Sequence, residues 1–321
     1  MTARSHSNTP IRENWPALPL EEWKGTCDTL HLWTQIVGKV RMELSPRANH
    51  WWHVPLYADV RGLSTSPIPL GPDWFDIRFD FLSHRLVLDT SSGESCSLAL
   101  RPQSVAEFYR DFMDLLKGAG IQVEINPMPA EVRDPIPFDQ DMVHASYDYE
   151  YVQRFWHTLL AIAGIFEEFR GRFVGKCSPV HFFWGSFDLA VTRFSGRRAP
   201  ERQGADPITR EAYSHEVSSA GWWPGGETLS GIEVSGAAFY SYMAPEPAGY
   251  AECAIRPAAA HYNRDLGEFL LRYDDLRAAP SPHIALLDFL QSTYQAGAEL
   301  AHWDRAALEY PQASNREEQV A

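Results

Sequence analysis

The segment YSHEVSSAGWWPGG combines residue types that suit acid–base chemistry and the binding of an aromatic ligand. His215 can take up or release a proton near neutral pH, and the adjacent Glu216 can orient or assist its imidazole. Trp222 and Trp223 follow on a Gly- and Pro-rich stretch within a long polar excursion, residues 195–236. We predict His215 and Glu216 as a catalytic pair walled by the tryptophans. Neighbouring strand residues point to opposite faces, so the alternative is a hairpin with core tryptophans and a surface His–Glu pair.

The segment VHFFWGSFDLAVTRFSGRRAP, residues 180–200, supplies a second group of candidates. Its alternation predicts a strand with one apolar face and one mixed face, and the mixed face carries Trp184 and Asp188. Arg193 begins a basic cluster, and an arginine can bind carboxylate or phosphate through paired hydrogen bonds. We predict Trp184, Asp188 and Arg193 as ligand-binding residues, with Arg193 as the anion anchor. A solvated sheet face with locally paired arginines is the alternative.

Other site types have weaker support in the sequence. His50 and His53 form an H-x-x-H pair, but spacing three on a strand places them on opposite faces, so we predict no metal site. The four cysteines are scattered singly, which is typical of buried thiols. There is no P-loop, G-x-G-x-x-G, G-x-S-x-G or H-E-x-x-H motif. The pattern therefore specifies no cofactor and leaves open whether the protein is an enzyme.

Composition narrows the range of partners. The net charge of −14 disfavours nucleic acid and anionic membranes, both of which bind basic surfaces. The first residues lack the apolar core of a signal peptide, and the run LLAIAGIF is far too short to span a bilayer. We expect a cytoplasmic protein whose partner is a small molecule.

The candidate residues need a scaffold, and the hydrophobic pattern predicts an α+β protein of two similar halves. Each half is expected to be a mostly antiparallel sheet packed with helices. Residues 49–69 and 180–200 align without a gap at an offset of 131 residues, which places His50 opposite His181. We infer a tandem duplication in which strand 50–61 is equivalent to strand 181–192, with chance similarity as the alternative.

The same pattern gives the predicted boundaries. We expect a disordered N-terminus at 1–14, a first half at 15–130, a Pro-rich linker at 131–147, a second half at 148–308 and a disordered tail at 309–321.

Several long strings resemble one known family. TLHLWTQIVGK, HWWHVPLY, GLSTSPIP, VHFFWGSFDLAVTRFSGR, GWWPGG and FYSYMAPEP are similar to the bacterial domain-of-unknown-function family 5996. The resemblance extends over nearly the whole chain, from about Trp15 to Leu308. It implies one unit of about this length and no assigned activity, so it implies no catalytic residues.

The residues favour binding, with turnover left open, of a small organic ligand in an aromatic-walled pocket of the second half. The alternative is a non-enzymatic interaction module that docks through Trp222 and Trp223. An enclosed aromatic cavity would favour the first hypothesis, and a flat exposed tryptophan patch the second.

Overall fold

The structure is a computed structural model that describes residues 15–228 and 231–310. The predicted disordered N-terminus and residues 311–321 of the predicted tail lie outside the described residues. Glu309, which we also assigned to the tail, forms an isolated bridge with Phe173 and accepts a hydrogen bond from the Tyr294 hydroxyl at 2.9 Å.

Two long helices enclose the strands of the first half. The elements in chain order are α1 (Leu20–Leu44), β1 (Tyr57–Ala58), β2 (Gly62–Ser64), β3 (Ile68–Leu70), β4 (Asp73–Asp80), β5 (Arg85–Thr90), β6 (Ser95–Ala99) and α2 (Val105–Gly118). Ser104 and Glu107 form the predicted capping box at the start of α2. The strands form an antiparallel sheet in the order β1-β2-β4-β5-β6, with β3 paired to β4.

The second half repeats this plan with additions. Its elements are α3 (Tyr149–Gly171), β7 (His181–Phe183), β8 (Asp188–Arg198), α4 (Pro207–Ala212), β9 (His215–Trp223), β10 (Gly226–Glu227), β11 (Glu233–Val234), β12 (Ala238–Ala244), β13 (His261–Asn263), β14 (Glu268–Arg272), α5 (Tyr273–Arg277), α6 (Pro282–Leu300) and α7 (Arg305–Leu308). Six of the strands form an antiparallel sheet in the order β13-β14-β12-β9-β8-β7. The predicted α+β class, with two antiparallel sheets packed with helices, is confirmed.

The two sheets meet edge to edge between β1 and β7. Leu56, just before β1, and Phe182 exchange both main-chain hydrogen bonds, at 2.9 and 2.8 Å. Each half also places a helix against the hairpin turn of the other half. His31 on α1 bonds the carbonyl of Gly185 in the β7–β8 turn at 2.8 Å. In return Trp156 on α3 donates to the carbonyl of Asp59 in the β1–β2 turn at 3.0 Å. The two halves therefore share one core.

The register of the two hairpins corrects our sequence alignment. The closing pair of the first hairpin, Ala58 and Leu63, precedes the closing pair Phe183 and Asp188 of the second by 125 residues, not 131. His31 and Trp156, whose side chains make the two contacts between a helix and the turn of the other half, are also 125 residues apart. This relation is compatible with a tandem duplication.

Two stretches differ from their predicted structure for local reasons. His50 lies in a 3-10 turn with a φ of 54°, so residues 50–61 are not one strand. The run IQVEI at 121–125, which alternation predicts as a strand, forms none; its residues Ile121 and Ile125 are buried in the core.

The predicted 195–236 excursion contains the nine-residue strand β9, which pairs on both sides, with β8 and β12. The sequence did not predict this strand because β9 is rich in small and polar residues, whereas branched and aromatic residues are the usual signal for a strand. Among the described residues, no helix combines the length and apolarity that crossing a membrane requires.

Candidate functional site

The second sheet has one face against helices and one face that carries polar groups. Leu189 and Trp222 lie opposite each other on the helix-facing side, and Trp222 contacts Phe155 of α3 and Tyr273 of α5. Strand alternation places Asp188 and every second residue of β8 on the other side. We call that side the polar face; besides Asp188 it carries Thr192, Phe194, His215, Ser219, Tyr240, Tyr242 and Glu268.

At one end of the polar face, Asp188 is buried and well bonded. It accepts hydrogen bonds from the hydroxyls of Ser186 and Tyr240. The Tyr240 ring lies across Gly221, where any side chain would collide with it. Burial raises the pKa of Asp188 in spite of these bonds, and burial beside Asp188 raises the pKa of Tyr240 far above its usual value. This carboxyl group is therefore held rigidly within the fold.

Two further carboxyl groups lie near Asp188. Desolvation, followed by the charge of Asp188, raises the pKa of Glu268 on β14 to about 7. The pKa of Glu131 is also raised to about 7 by the same two causes, although more than a third of this residue is exposed. The protein atoms crowded around its carboxyl group explain this, because an added Cβ at Gly185 would lie 2.6 Å from Glu131 Oε1. We call Asp188, Glu131 and Glu268 the acidic end.

Tyrosine and hydroxyl side chains lead away from the acidic end. Tyr240 stacks on Tyr242 with ring centroids 6.1 Å apart. The Tyr242 hydroxyl is 2.8 Å from the hydroxyl of Tyr213, which follows α4. Thr192 and Ser219 share a hydrogen bond of 2.9 Å on the same face. These groups give the face aromatic walls and hydroxyls that can donate or accept.

The opposite end of the face carries histidines and cations. His215 begins β9, and its ring lies 5.8 Å from that of His50, edge to face. The His215 Nδ1 is 3.1 Å from the Ser214 hydroxyl, and the His50 Nδ1 is 3.0 Å from the carbonyl of Glu211. The latter contact makes His50 Nδ1 the donor, which leaves Nε2 as an acceptor. We call the surroundings of His50 and His215 the basic end.

Two cations that lack a carboxylate partner among the described residues, Lys176 and Arg198, complete the basic end. Lys176 Nζ lies 5.1 Å from the ring centroids of both Trp52 and Phe194. Arg198 pairs with His215 across the β8–β9 ladder. In the described part of the chain, neither cation has a carboxylate partner. Burial and the charge of Lys176 lower the pKa of His50, whereas burial, then Arg198 and Lys176, lower that of His215.

Backbone strain also marks the basic end. His50 and Trp51 have φ values of 54° and 59°, a left-handed conformation that is unfavourable for residues other than glycine. Such strain persists only where the surroundings fix it, and it is common at functional sites. Here the His50 amide donates to Glu211 Oε1 at 3.1 Å, and Glu211 also pairs with Arg47 at 2.7 Å. This carboxylate fixes the turn that presents the His50 ring.

The residues predicted from sequence are divided among different surroundings. His215 and Asp188 share the polar face but lie at opposite ends of it. Asp188 lies level with Trp223, which is eight residues from His215 along β9, so the two side chains are about 26 Å apart along the strand. Glu216 points to the other face and pairs with Arg197 at 2.6 Å. His215 and Glu216 therefore do not converge on one target, as strand alternation requires.

The tryptophans and Arg193 serve mainly as core. Trp222 is fully buried on the helix-facing side, whereas Trp223 is partly exposed. Trp184 is buried, donates to the carbonyl of Val54 at 2.8 Å and fills the space beside Gly38 of α1. A flat tryptophan patch is therefore absent at 222–223, since only one of the two rings reaches the surface.

Arg193 is fully buried, which corrects its predicted position at an anion site. Its guanidinium lies 3.4 Å from the ring centroid of Phe169 and 4.3 Å from that of Tyr294, and it donates to the carbonyl of Phe169. Burial lowers its pKa to about 10. It lies on the same side of β8 as Leu189, so it faces helices α3 and α6 and cannot meet a ligand on the polar face.

The residue pattern did not bring the members of the basic end together. His50 entered only as half of an H-x-x-H pair, Arg198 only as a member of the basic cluster that begins at Arg193, Tyr213 only as the first residue of the segment with His215, and Lys176 not at all. The available signal was the concentration of cations between 170 and 202 in an acidic chain. In the described ranges, no three His, Cys, Asp or Glu side chains are arranged to hold a metal ion.

Comparison with known proteins gives a family and no activity. A model described as "Family of unknown function (DUF5996)" matches residues 15–310. The chain belongs to this family. The match includes both ends of the polar face, so the DUF5996 unit contains the whole second sheet. No curated protein and no solved structure matches the chain.

Proposed function

We propose that the protein binds a small anionic organic ligand, a carboxylate or phosphate attached to an apolar body, at the basic end of the polar face. The observation that carries the proposal is the pairing of His50 and His215 beside two cations that have no carboxylate partner among the described residues. Both cations lie beside imidazole or aromatic rings and not beside carboxylates, so together with the two histidines they can offer an anion several charged or polar donors.

The walls of this end suit the apolar part of such a ligand. Trp52 and Phe194 lie 5.5 and 4.7 Å from the His50 ring, and Tyr213 and Tyr242 pack against the same small cluster as Phe194. Aromatic walls with a few fixed polar groups are typical of small-molecule sites. If the ligand is turned over, His50 and His215 are the groups placed to exchange protons with it.

The buried Trp222 weakens the alternative of a docking surface at residues 222–223. A hot spot needs large side chains that become buried on binding, and Trp222 is already 0% exposed. Trp223 alone does not make a patch. The ligand proposal therefore has the stronger support.

Phenyl phosphate is a suitable probe because it combines an anion with an aromatic ring. We expect it to stabilise the protein against heat and to raise the pKa of His50 and His215 in proton NMR titrations, because a bound anion favours the imidazolium. Affinity should rise as the pH falls, since both folded pKa values lie below 6.5 and the charged histidines attract the phosphate. Phenol and benzylammonium provide matched neutral and cationic controls.

Lys176→Gln should weaken phenyl phosphate binding about tenfold, which corresponds to about 1.4 kcal/mol. Lys24→Gln is the matched control, because Lys24 already pairs with Asp28 on the exposed surface of α1. Unchanged histidine titrations with phenyl phosphate, or equal effects of phenyl phosphate and benzylammonium, would contradict the proposal.

A further inference from the structure

His181 of β7 is a buried histidine whose ring nitrogens make no hydrogen bond. Its side chain is 0% exposed, and neither Nδ1 nor Nε2 has a partner among the described residues. The rings of Trp52, Tyr57 and Phe183 lie 5.9, 5.5 and 5.4 Å away, each edge to face with the imidazole. The large majority of buried polar side-chain atoms in proteins are bonded. His181 therefore has an unused donor and an unused acceptor inside the protein.

Arg41 of α1 is a buried cation close to the same histidine. It is 7% exposed, its Nη1 donates to the carbonyl of Thr65, and its Nε has no partner in the described part of the chain. Its guanidinium lies 5.5 Å from the ring centroid of Tyr57, which also contacts His181. Burial, followed by the charge of Arg41, lowers the pKa of His181 to about 3. Arg41 and His181 are therefore neighbours that share Tyr57.

The surroundings of Arg41 differ from those of the buried Arg193. Three aromatic rings lie 3.4 to 5.0 Å from the Arg193 guanidinium and offset part of the cost of burying its charge. Arg41 has one ring at 5.5 Å, and no carboxylate acts on its charge. The other charge that acts on His181 is Arg170, which is already paired with Glu167 at 3.0 Å. Because a buried charge is normally paired, the position of Arg41 favours a bound anion.

The free atoms of this position match a carboxylate. An arginine binds a carboxylate through two parallel N–H bonds, for which Nε–H and Nη2–H form one suitable side of the guanidinium. In Arg41 the carbonyl of Thr65 takes Nη1, on the other side. A carboxylate has about four acceptor positions, so it can also accept the N–H of a neutral His181 ring. The Tyr57 hydroxyl, which interacts with Arg41, can supply a further donor.

A groove of about 310 Å³ beside the junction of β1 and β7 leads toward these residues. Its lining comes from both sheets and from α3, and consists of Tyr57, Ala58, Pro179, Val180, Leu160, Ala163, Gly164 and Glu167. Tyr57 contacts both members of the buried pair, and Val180 immediately precedes His181. The groove therefore reaches two residues that adjoin the pair.

We propose that Arg41, Tyr57 and His181 form a binding site for a small carboxylate, of the size of formate or acetate, at the junction of the two halves. Arg41 and Tyr57 belong to the first half and His181 to the second, so the carboxylate bridges them. The site is distinct from the basic end. Trp52 contacts both His181 and His50, at 5.9 and 5.5 Å, and the two histidines make no ring contact with each other. The inference does not rest on the ligand proposed for the polar face.

Formate is the probe, and thermal unfolding of the full chain is the measurement. Sodium formate replaces sodium chloride at constant ionic strength. We expect a saturable rise in Tm with a dissociation constant in the millimolar range, because formate binds the folded chain. Formamide, a neutral molecule of the same shape, should have no effect. No saturable change when formate replaces chloride, or an equal change with formamide, would overturn the proposal.

Arg41→Met tests the guanidinium, since it removes the charge and keeps an unbranched side chain. It should weaken formate binding at least about tenfold. Lys39→Met is the matched control, because Lys39 is another buried cation of α1 and donates to the carbonyl of Met128 instead. Formate binding by Lys39→Met should change less than about twofold. An equal loss in the two variants would mean that the overall charge of α1 attracts formate, and would refute the site.

Two further variants keep the test decisive. If Arg41→Met does not fold, His181→Phe replaces it; this change keeps an aromatic ring, removes both ring nitrogens and should weaken formate binding about tenfold. Unchanged binding by His181→Phe would contradict the proposal. Lys176→Gln, at the basic end, should leave the formate effect intact. Loss of the effect in Lys176→Gln would place formate on the polar face and count against a site at Arg41.

Discussion

The two faces of the second sheet use the same strands for different purposes. On the helix-facing side, Trp222 and Arg193 are fully buried against aromatic rings of α3, α5 and α6. On the polar face, His215 and Lys176 stand beside aromatic walls at a partly open end. Side chains one residue apart in sequence thus differ in whether they pack against the helices or face the proposed ligand site. Alternation alone separates them, and it does not say which face is which.

This comparison also explains why residue type alone does not distinguish core residues from ligand-binding residues in this protein. Arginine and tryptophan are the residues most often found at binding hot spots, and both occur here as core. The buried charge of Arg193 is stabilised by three aromatic rings and one carbonyl that surround its guanidinium. The functional assignment of a residue therefore depends on its side of the strand.

The largest effect expected from the comparison is at Trp222. Trp222→Ala should lower the free energy of unfolding by about 3–5 kcal/mol, because it leaves a large cavity under α3 and α5. Its neighbour Trp223 is partly exposed on the polar face, so Trp223→Ala should cost about 1 kcal/mol or less. Urea denaturation measures both, and equal losses would mean that the two faces do not differ as described.

The sequence predicted the fold class, but it did not bring together the residues of the proposed basic end, and the reasons are physical. The alternation in residues 188–194 and the Ser104–Glu107 capping box are local signals, and both appear in the structure. The contact of His50 with His215 joins residues 165 positions apart through a left-handed turn that no local pattern encodes. The burial of Arg193 likewise depends on rings from α3 and α6, which periodicity cannot bring to it.

An intermediate effect is expected at the acidic end, where stability depends on pH. Burial raises the folded pKa of Glu268 to about 7, above the unfolded value near 4.5. As the pH rises, this carboxyl ionises in the unfolded state before it ionises in the folded state. It therefore destabilises the folded state progressively between about pH 4.5 and pH 7. Glu268→Gln should therefore increase the free energy of unfolding by about 1–2 kcal/mol at pH 8, a value reduced for its partial exposure.

The same substitution should have little effect at pH 4, where the wild-type carboxyl is protonated in both states. Chemical denaturation at the two pH values tests this difference. Glu167→Gln is the control, since Glu167 is an exposed residue of α3 that pairs with Arg170. A gain at pH 4 as large as that at pH 8 would show that ionisation is not the cause.

The smallest effect is expected at His215. Its ring is only partly buried and bonds a single hydroxyl, so His215→Ala should change the free energy of unfolding by less than about 1 kcal/mol. His181, on the same face but 0% exposed, is the matched control, and His181→Ala should cost about 2 kcal/mol because it opens a cavity. A loss at His215 as large as that at His181 would make His215 part of the core and would argue against its place in the proposed ligand site.

The shared ladder at Leu56 and Phe182 has a consequence for synthesis of the chain. The ribosome completes β1 roughly 125 residues before it completes the strand that covers it. During that interval the inner edge of the first sheet is open to any other extended segment, including those of neighbouring nascent chains. The time between translation of these two segments therefore sets how long the protein is exposed to co-translational aggregation.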